Sequence, residues 1–321
     1  MFGYFLKRLF SSIPLLIGIT FISFILINLA PGSPLNEWAD PSLSIEDTQK
    51  IKTNLGLNDP VVVQYGRWLK NALKGDLGRS YSYSKPVTAM LKERMPATLL
   101  LSISSLILIL GITLPLGLIS GAKKDSFFDN FVLIFSFIGL SIPTFWLGLM
   151  LILGFSLKLN ILPTSGFIDP QLSEASLWIQ LIDISKHLAL PLLTIVIGGL
   201  ASLTRYHRFG IIKILSQDYI LAAKARGISK TKLLFIHAFK NASIPIITIL
   251  GLSLPGLIGG SFIIEYIFSW PGMGQLGIAS IFSRDYPVIM GSIVFSSILI
   301  ILGNLFADIA YTYADPRIRL K

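Results

Sequence analysis

The chain contains no cysteine. That excludes a disulfide framework, a thiolate metal site and a cysteine nucleophile, and it leaves the redox compartment unreadable. Histidine is nearly absent: His187, His207 and His237 are scattered and form no metal-ligand spacing. Charge is scarce, at 14% of residues, and acid is scarcer than base, with 17 Asp and Glu against 27 Lys and Arg. No GxxxxGKS/T phosphate loop occurs, so the sequence carries no motif for hydrolysing ATP itself. Paired acids and a nucleophile motif at a membrane face are also missing, which weighs against an integral-membrane enzyme.

What is present is apolar. Hydrophobic residues make up 53% of the chain and mean hydropathy is +0.71, more than a soluble interior can hide. Six stretches carry no charge: 9–29, 98–120, 131–157, 188–204, 242–264 and 288–307. About 20 helical residues cross a bilayer core, so each run predicts one transmembrane helix, the fourth being shortest. The first run follows Lys7 and Arg8 but exceeds the roughly 7–15 residues of a signal h-region. Residues 1–30 therefore read as an uncleaved signal-anchor helix.

Six spans place both termini on one side. The segments then sharing that side hold Lys7, Arg8, Lys123, Lys124, eight bases in 205–241, and Arg317, Arg319 and Lys321. They hold only four acids: Asp125, Asp129, Asp218 and Asp315. The positive-inside rule predicts N-in and C-in, and topology explains the basic surplus better than nucleic acid does. No charge-free run contains an ionisable ladder of the kind used by ion-coupled carriers. Glu265 and Asp308 lie only at run ends.

The predicted organisation is a signal anchor over 1–30, an extracytoplasmic loop domain over 31–97, a five-helix core over 98–310, and a tail over 311–321. In the loop domain Val61, Val62, Tyr65, Trp68 and Leu69 have amphipathic spacing. That domain reads either as a stabilising lid or as a docking surface. Run 242–264 has the densest Pro and Gly set, including Pro245, Gly251 and Pro255. It predicts a bent, closely packed helix that lines a pathway or simply packs.

The basic segment 205–241 has local structure written into it. Ser216 is the expected N-cap, Asp218 sits in the first turn, and Lys224 and Arg226 favour the C-terminal end. Gly227 suits the left-handed position after the helix. Ser229 starts a second helix reaching about Lys240. Tyr219, Ala222, Ala223 and Arg226 share one face, thin enough for another protein to approach. Docking of a partner and an amphipathic helix on anionic lipid both fit this pattern.

Tyr219-Ile220-Leu221-Ala222-Ala223-Lys224-Ala225-Arg226-Gly227 resembles the EAA loop of ATP-binding-cassette importer permeases. Leu221 stands where the general motif has Glu, and Pro245 follows Gly227 by 18 residues. Both features, with His237-Ala238 and Asn241-Ala242, resemble the dipeptide/oligopeptide/nickel branch. Further matching segments run in order: Gly75-Asp76-Leu77-Gly78, Ser141-Ile142-Pro143, Trp270-Pro271-Gly272-Met273-Gly274, Arg284-Asp285-Tyr286-Pro287 and Asp315-Pro316-Arg317. The long loop after the first span is similar to the B-type subunit.

The resemblance implies an all-α integral membrane fold with six transmembrane helices, that of a type I ABC importer permease. It implies one half of a pathway for di- or oligopeptides, with nickel, glutathione, opines and sugars as alternatives. Implied partners are a C-type permease, one or two ATP-binding subunits holding ATP and Mg, and an extracytoplasmic binding protein, in a bacterial or archaeal plasma membrane. This chain binds no cofactor or nucleic acid on that reading. Coupling to the ATPase falls on Asp218, Tyr219, Ala222, Ala223, Lys224, Ala225, Arg226 and Gly227. Trp270 to Gly274 reads as a re-entrant turn at an outer gate or as an interfacial Trp beside a turn. A stand-alone carrier or channel is the remote alternative.

Overall fold

The computed structural model describes residues 2–29, 53, 56, 58–243, 246, 249 and 262–314. Most of run 242–264, with Pro245, Gly251 and Pro255, lies outside them, as do residues 31–52 and the tail 315–321. The described residues are helical, with no strand beyond one isolated bridge between Arg79 and Pro86. The chain divides into two compact units: 1–98 with 271–301, and 99–270 with 302–321.

Helix α1 (Phe2–Leu29) and helix α2 (Val61–Ala72) belong to the first unit. Tyr65 joins them. Its hydroxyl lies 3.0 Å from Thr20 Oγ1 and donates to the Ile17 carbonyl, and its ring meets Phe21 and Phe24 edge-on. Tyr65 is buried and Val61, Trp68 and Leu69 half-buried, as the amphipathic spacing predicts. Val62 instead faces outward, 65% exposed, because at helical pitch it falls a full 100° from Val61.

Helix α3 (Val87–Ala122) begins in this unit and runs without a break through the 97/98 boundary. Val87, Met90 and Leu91 pack there against residues of two later helices, Met273–Phe282 and Tyr286–Ala314. The Asp285 carboxylate, buried just ahead of the last helix, accepts hydrogen bonds from the Ser80 hydroxyl and the Tyr81 and Ser82 N–H groups. It thereby fixes the turn between the bridged residues. Burial, then the nearby Asp285 charge and Tyr286, raises the Tyr81 phenol above its usual 10.0, so it stays neutral.

In the second unit the third charge-free run does not form one straight helix. Helix α4 (Phe127–Ser141) and helix α5 (Thr144–Leu151), which continues as a π-helix over Ile152–Lys158, meet at 99°. The cause lies at Ile142-Pro143. A residue before proline is pushed out of the helical region, and Ile142 is extended, at φ −87° and ψ 122°.

Helix α6 (Leu177–Leu215) has 39 residues. At about 1.5 Å per residue it is roughly 58 Å long, far beyond a bilayer core of about 30 Å. Arg205, Arg208 and Lys213 therefore lie on its overshooting end, not in a loop. Among the described residues, counted by length and composition, four helices can cross a membrane, or five if the bent pair is one span.

Candidate functional site

Helix α6 stops at Leu215 and the chain turns sharply. The expected cap, Ser216, instead closes helix α6, its hydroxyl donating to the Lys213 carbonyl. Gln217 takes the N-cap position of helix α7 (Asp218–Ala225) and makes no side-chain cap bond. The competition is local: a serine this close to a helix end bonds back to the preceding turn as readily as it caps the next one.

Helix α7 ends as its sequence predicts. Gly227 has φ +80°, its N–H donates to the Lys224 carbonyl, and the Ile228 N–H donates to the Ala223 carbonyl. These two bonds are the paired closure of a Schellman turn. Ser229 caps helix α8 (Lys230–Lys232), its Oγ accepting the Lys232 N–H. The helix then widens into a π-helix over Leu233–Phe239, a departure from the regular helix expected to Lys240.

Helix α7 is held from one side only. Ile220 is its one buried residue, 4% exposed. Ala223 is half-buried, while Asp218, Tyr219, Ala222, Lys224, Ala225, Arg226 and Gly227 are exposed. The structure thus brings all the predicted coupling residues together on one eight-residue helix and its terminal turn. Leu221 adds an exposed apolar side chain at 55%.

The base beneath this helix is closely packed. Leu118, Ile211, Ala238 and Ala242 form one buried cluster from three helical segments. Gly117 and Gly121 of helix α3 let helix α6 approach closely: an added Cβ on either would lie 2.7 Å from His207 or Ile211 atoms. One feature of this base has no precursor in the sequence reading. Asp129, wholly buried at the start of helix α4, pairs with Arg208 of helix α6 through Nε and Nη2. The Ser120 hydroxyl and the Asp125 N–H donate to the same carboxylate. The apolar runs are charge-free, yet a buried ion pair ties their ends. Asp129 is also tied into the start of helix α4, where Ser126 Oγ accepts its N–H.

The second predicted group divides between the units. Trp270 is fully buried, its ring 4.9 Å from Phe167, and its N–H donates to the carbonyl of Glu265, itself buried. Gly272, Met273 and Gly274 are buried at the start of helix α9 (Met273–Phe282). The Thr98 hydroxyl accepts the Met273 N–H at 2.7 Å. Ten residues are too few to cross a bilayer. Helix α10 (Tyr286–Ala314) follows. No cluster of His, Asp and Glu suited to a metal occurs among the described residues.

Long apolar helices define an integral membrane protein, and helix α7 stands exposed within its basic 205–241 segment. The chain belongs to the family of binding-protein-dependent transport system inner membrane components, whose model matches residues 113–320. The N-terminal model of the same systems matches residues 1–102.

The oligopeptide transport system permease protein AppB of Bacillus subtilis (strain 168) is 43% identical over 319 residues, covering 99% of both chains. A protein of Sinorhizobium fredii named "probable peptide ABC transporter permease protein" is 36% identical, covering 98% of this chain and 99% of its own. Among solved structures, the inward-facing MetNI methionine ABC transporter matches with a TM-score of 0.53 at 15% identity. It covers 71% of this chain and 97% of its own. That likeness shows the fold, the all-helical one of a type I ABC permease.

Proposed function

We propose that this chain is the B-type permease subunit of an ATP-binding-cassette importer for di- or oligopeptides. It forms half of the transmembrane pathway in a bacterial plasma membrane. Six spans run from N-in to C-in, with residues 31–97 as a folded outer domain and 205–241 in the cytoplasm. A C-type permease completes the pathway, a binding protein delivers cargo outside, and one or two separate subunits bind ATP and Mg.

The carrying observation is helix α7, fastened by Ile220, half-buried at Ala223 and exposed at its other residues, in a chain whose full-length relatives are named as peptide permeases. Asp218, Tyr219, Ala222, Ala223, Lys224, Ala225, Arg226 and Gly227 supply the contact with the ATPase. A coupling contact transmits work only if its free energy differs between the two conformations of the pathway. Residues 270–274 serve the outer gate: the Trp270 indole is shielded from lipid and the chain turns into a helix too short to span.

The test is ATP-driven uptake of labelled peptides into vesicles holding the complete complex, with nickel as a competing cargo. Ala223→Asp, which buries half a charge-bearing side chain at the contact, is expected to abolish uptake while the complex still assembles in the membrane. Peptide uptake that persists without the ATPase subunits would overturn the reading.

A further inference from the structure

Beside helix α7 opens a hollow of about 480 Å³, within the rough 300–1,000 Å³ range of occupied pockets. Its floor is apolar: Leu215 from the end of helix α6, Ile220 and Leu221 from helix α7, and Leu233 and Leu234 from the π-helix. Lys224 and Lys230 stand in its wall, both exposed. Neither forms an ion pair among the described residues. Arg226 and Lys232 are exposed close by in sequence, and Asp218 is the single acid in 205–241.

An apolar hollow walled by unpaired cations calls for the complementary object, an apolar tip flanked by anions. We propose that it receives one from the ATP-hydrolysing subunit: an apolar side chain enters between helix α7 and the π-helix, and neighbouring carboxylates pair with Lys224 and Lys230. The inference rests on the coupling reading above. Two things select this occupant. The hollow shares Ile220, Leu221 and Lys224 with the helix assigned to ATPase contact, so the two surfaces are continuous. Its unpaired positive charge also matches a carboxylate-bearing surface, and complementary charge sets the register of an interface. The contact is thereby two-way. The helix enters the partner and the partner enters the hollow, so a pull as well as a push can be transmitted.

The test measures binding of the ATPase subunits to the assembled permease pair in neutral phosphatidylcholine nanodiscs. Thr231→Trp fills the hollow from an exposed position, and the double variant Lys224→Glu/Lys230→Glu reverses its wall. Each is expected to weaken binding at least tenfold, with the reversed variant losing most of its salt dependence. If both bind like the parent protein while Ala223→Asp still abolishes uptake, the hollow is no receptor and the coupling reading stands. If Ala223→Asp takes up peptide like the parent protein, the coupling reading itself has failed. If the reversed variant keeps its ATPase but loses phosphatidylglycerol that copurifies with the parent, the hollow is a lipid headgroup site and the proposal is overturned.

Discussion

Gly227 sits where an L side chain is strained for conformational reasons alone, since a Cβ there would meet no atom within 4 Å. Gly227→Ala should therefore cost about 1–2 kcal/mol of left-handed strain and slow uptake modestly. Gly227→Pro cannot adopt φ +80° and loses the N–H that closes onto Lys224. It should end uptake while the complex still copurifies. Equal uptake by the two variants would show that the Schellman turn is dispensable.

Asp129 poses the opposite problem, a charge that must keep its partner. Removing one member of a buried pair costs about 3–5 kcal/mol, whereas replacing both with apolar residues is often close to neutral. Asp129→Leu should thus lower the thermal midpoint of the purified complex more than Asp129→Leu with Arg208→Met. The reverse order would mean that the ion pair does not hold these helix ends together.

At the scale of elements, helix α7 separates what anchors from what presents. Ile220→Ala deletes its buried side chain and should cost about 2–5 kcal/mol in packing, read as faster proteolysis at 216–229. Tyr219 is 48% exposed. Tyr219→Ala should leave proteolysis unchanged and lower ATP-driven uptake. If Tyr219→Ala leaves uptake at the parent level, the exposed face is not the working one.

The helix, its glycine stop and the Ser229 cap were legible because their determinants lie within a few residues of one another. The cap at Gln217 was not, because two helix ends compete for Ser216. The 99° bend was half legible: Ile142-Pro143 was in view, but a charge-free run of 27 residues reads as a single span when only charge is counted. Asp129 with Arg208, 79 positions apart, and the hollow beside helix α7 arise from tertiary packing. No local spacing announces them.

For the whole molecule, the bent pair Phe127–Ser141 and Thr144–Lys158 decides topology. If it crosses the bilayer as one broken span, residues 83 and 224 lie on opposite sides. If it doubles back, every later segment inverts and both lie on the same side. Charge discriminates between the two. Crossing gathers the eight bases of 205–241 with Lys7 and Arg8 on the cytoplasmic side, as short loops require, whereas doubling back exports those eight against a single acid. The absence of cysteine makes the test clean, since a single introduced thiol is the only target for a maleimide. Tyr83→Cys should react in intact right-side-out vesicles, and Lys224→Cys only after they are permeabilised. Reaction of both before permeabilisation would make the pair re-entrant and would put the helix proposed to meet the ATPase on the side where there is no ATP.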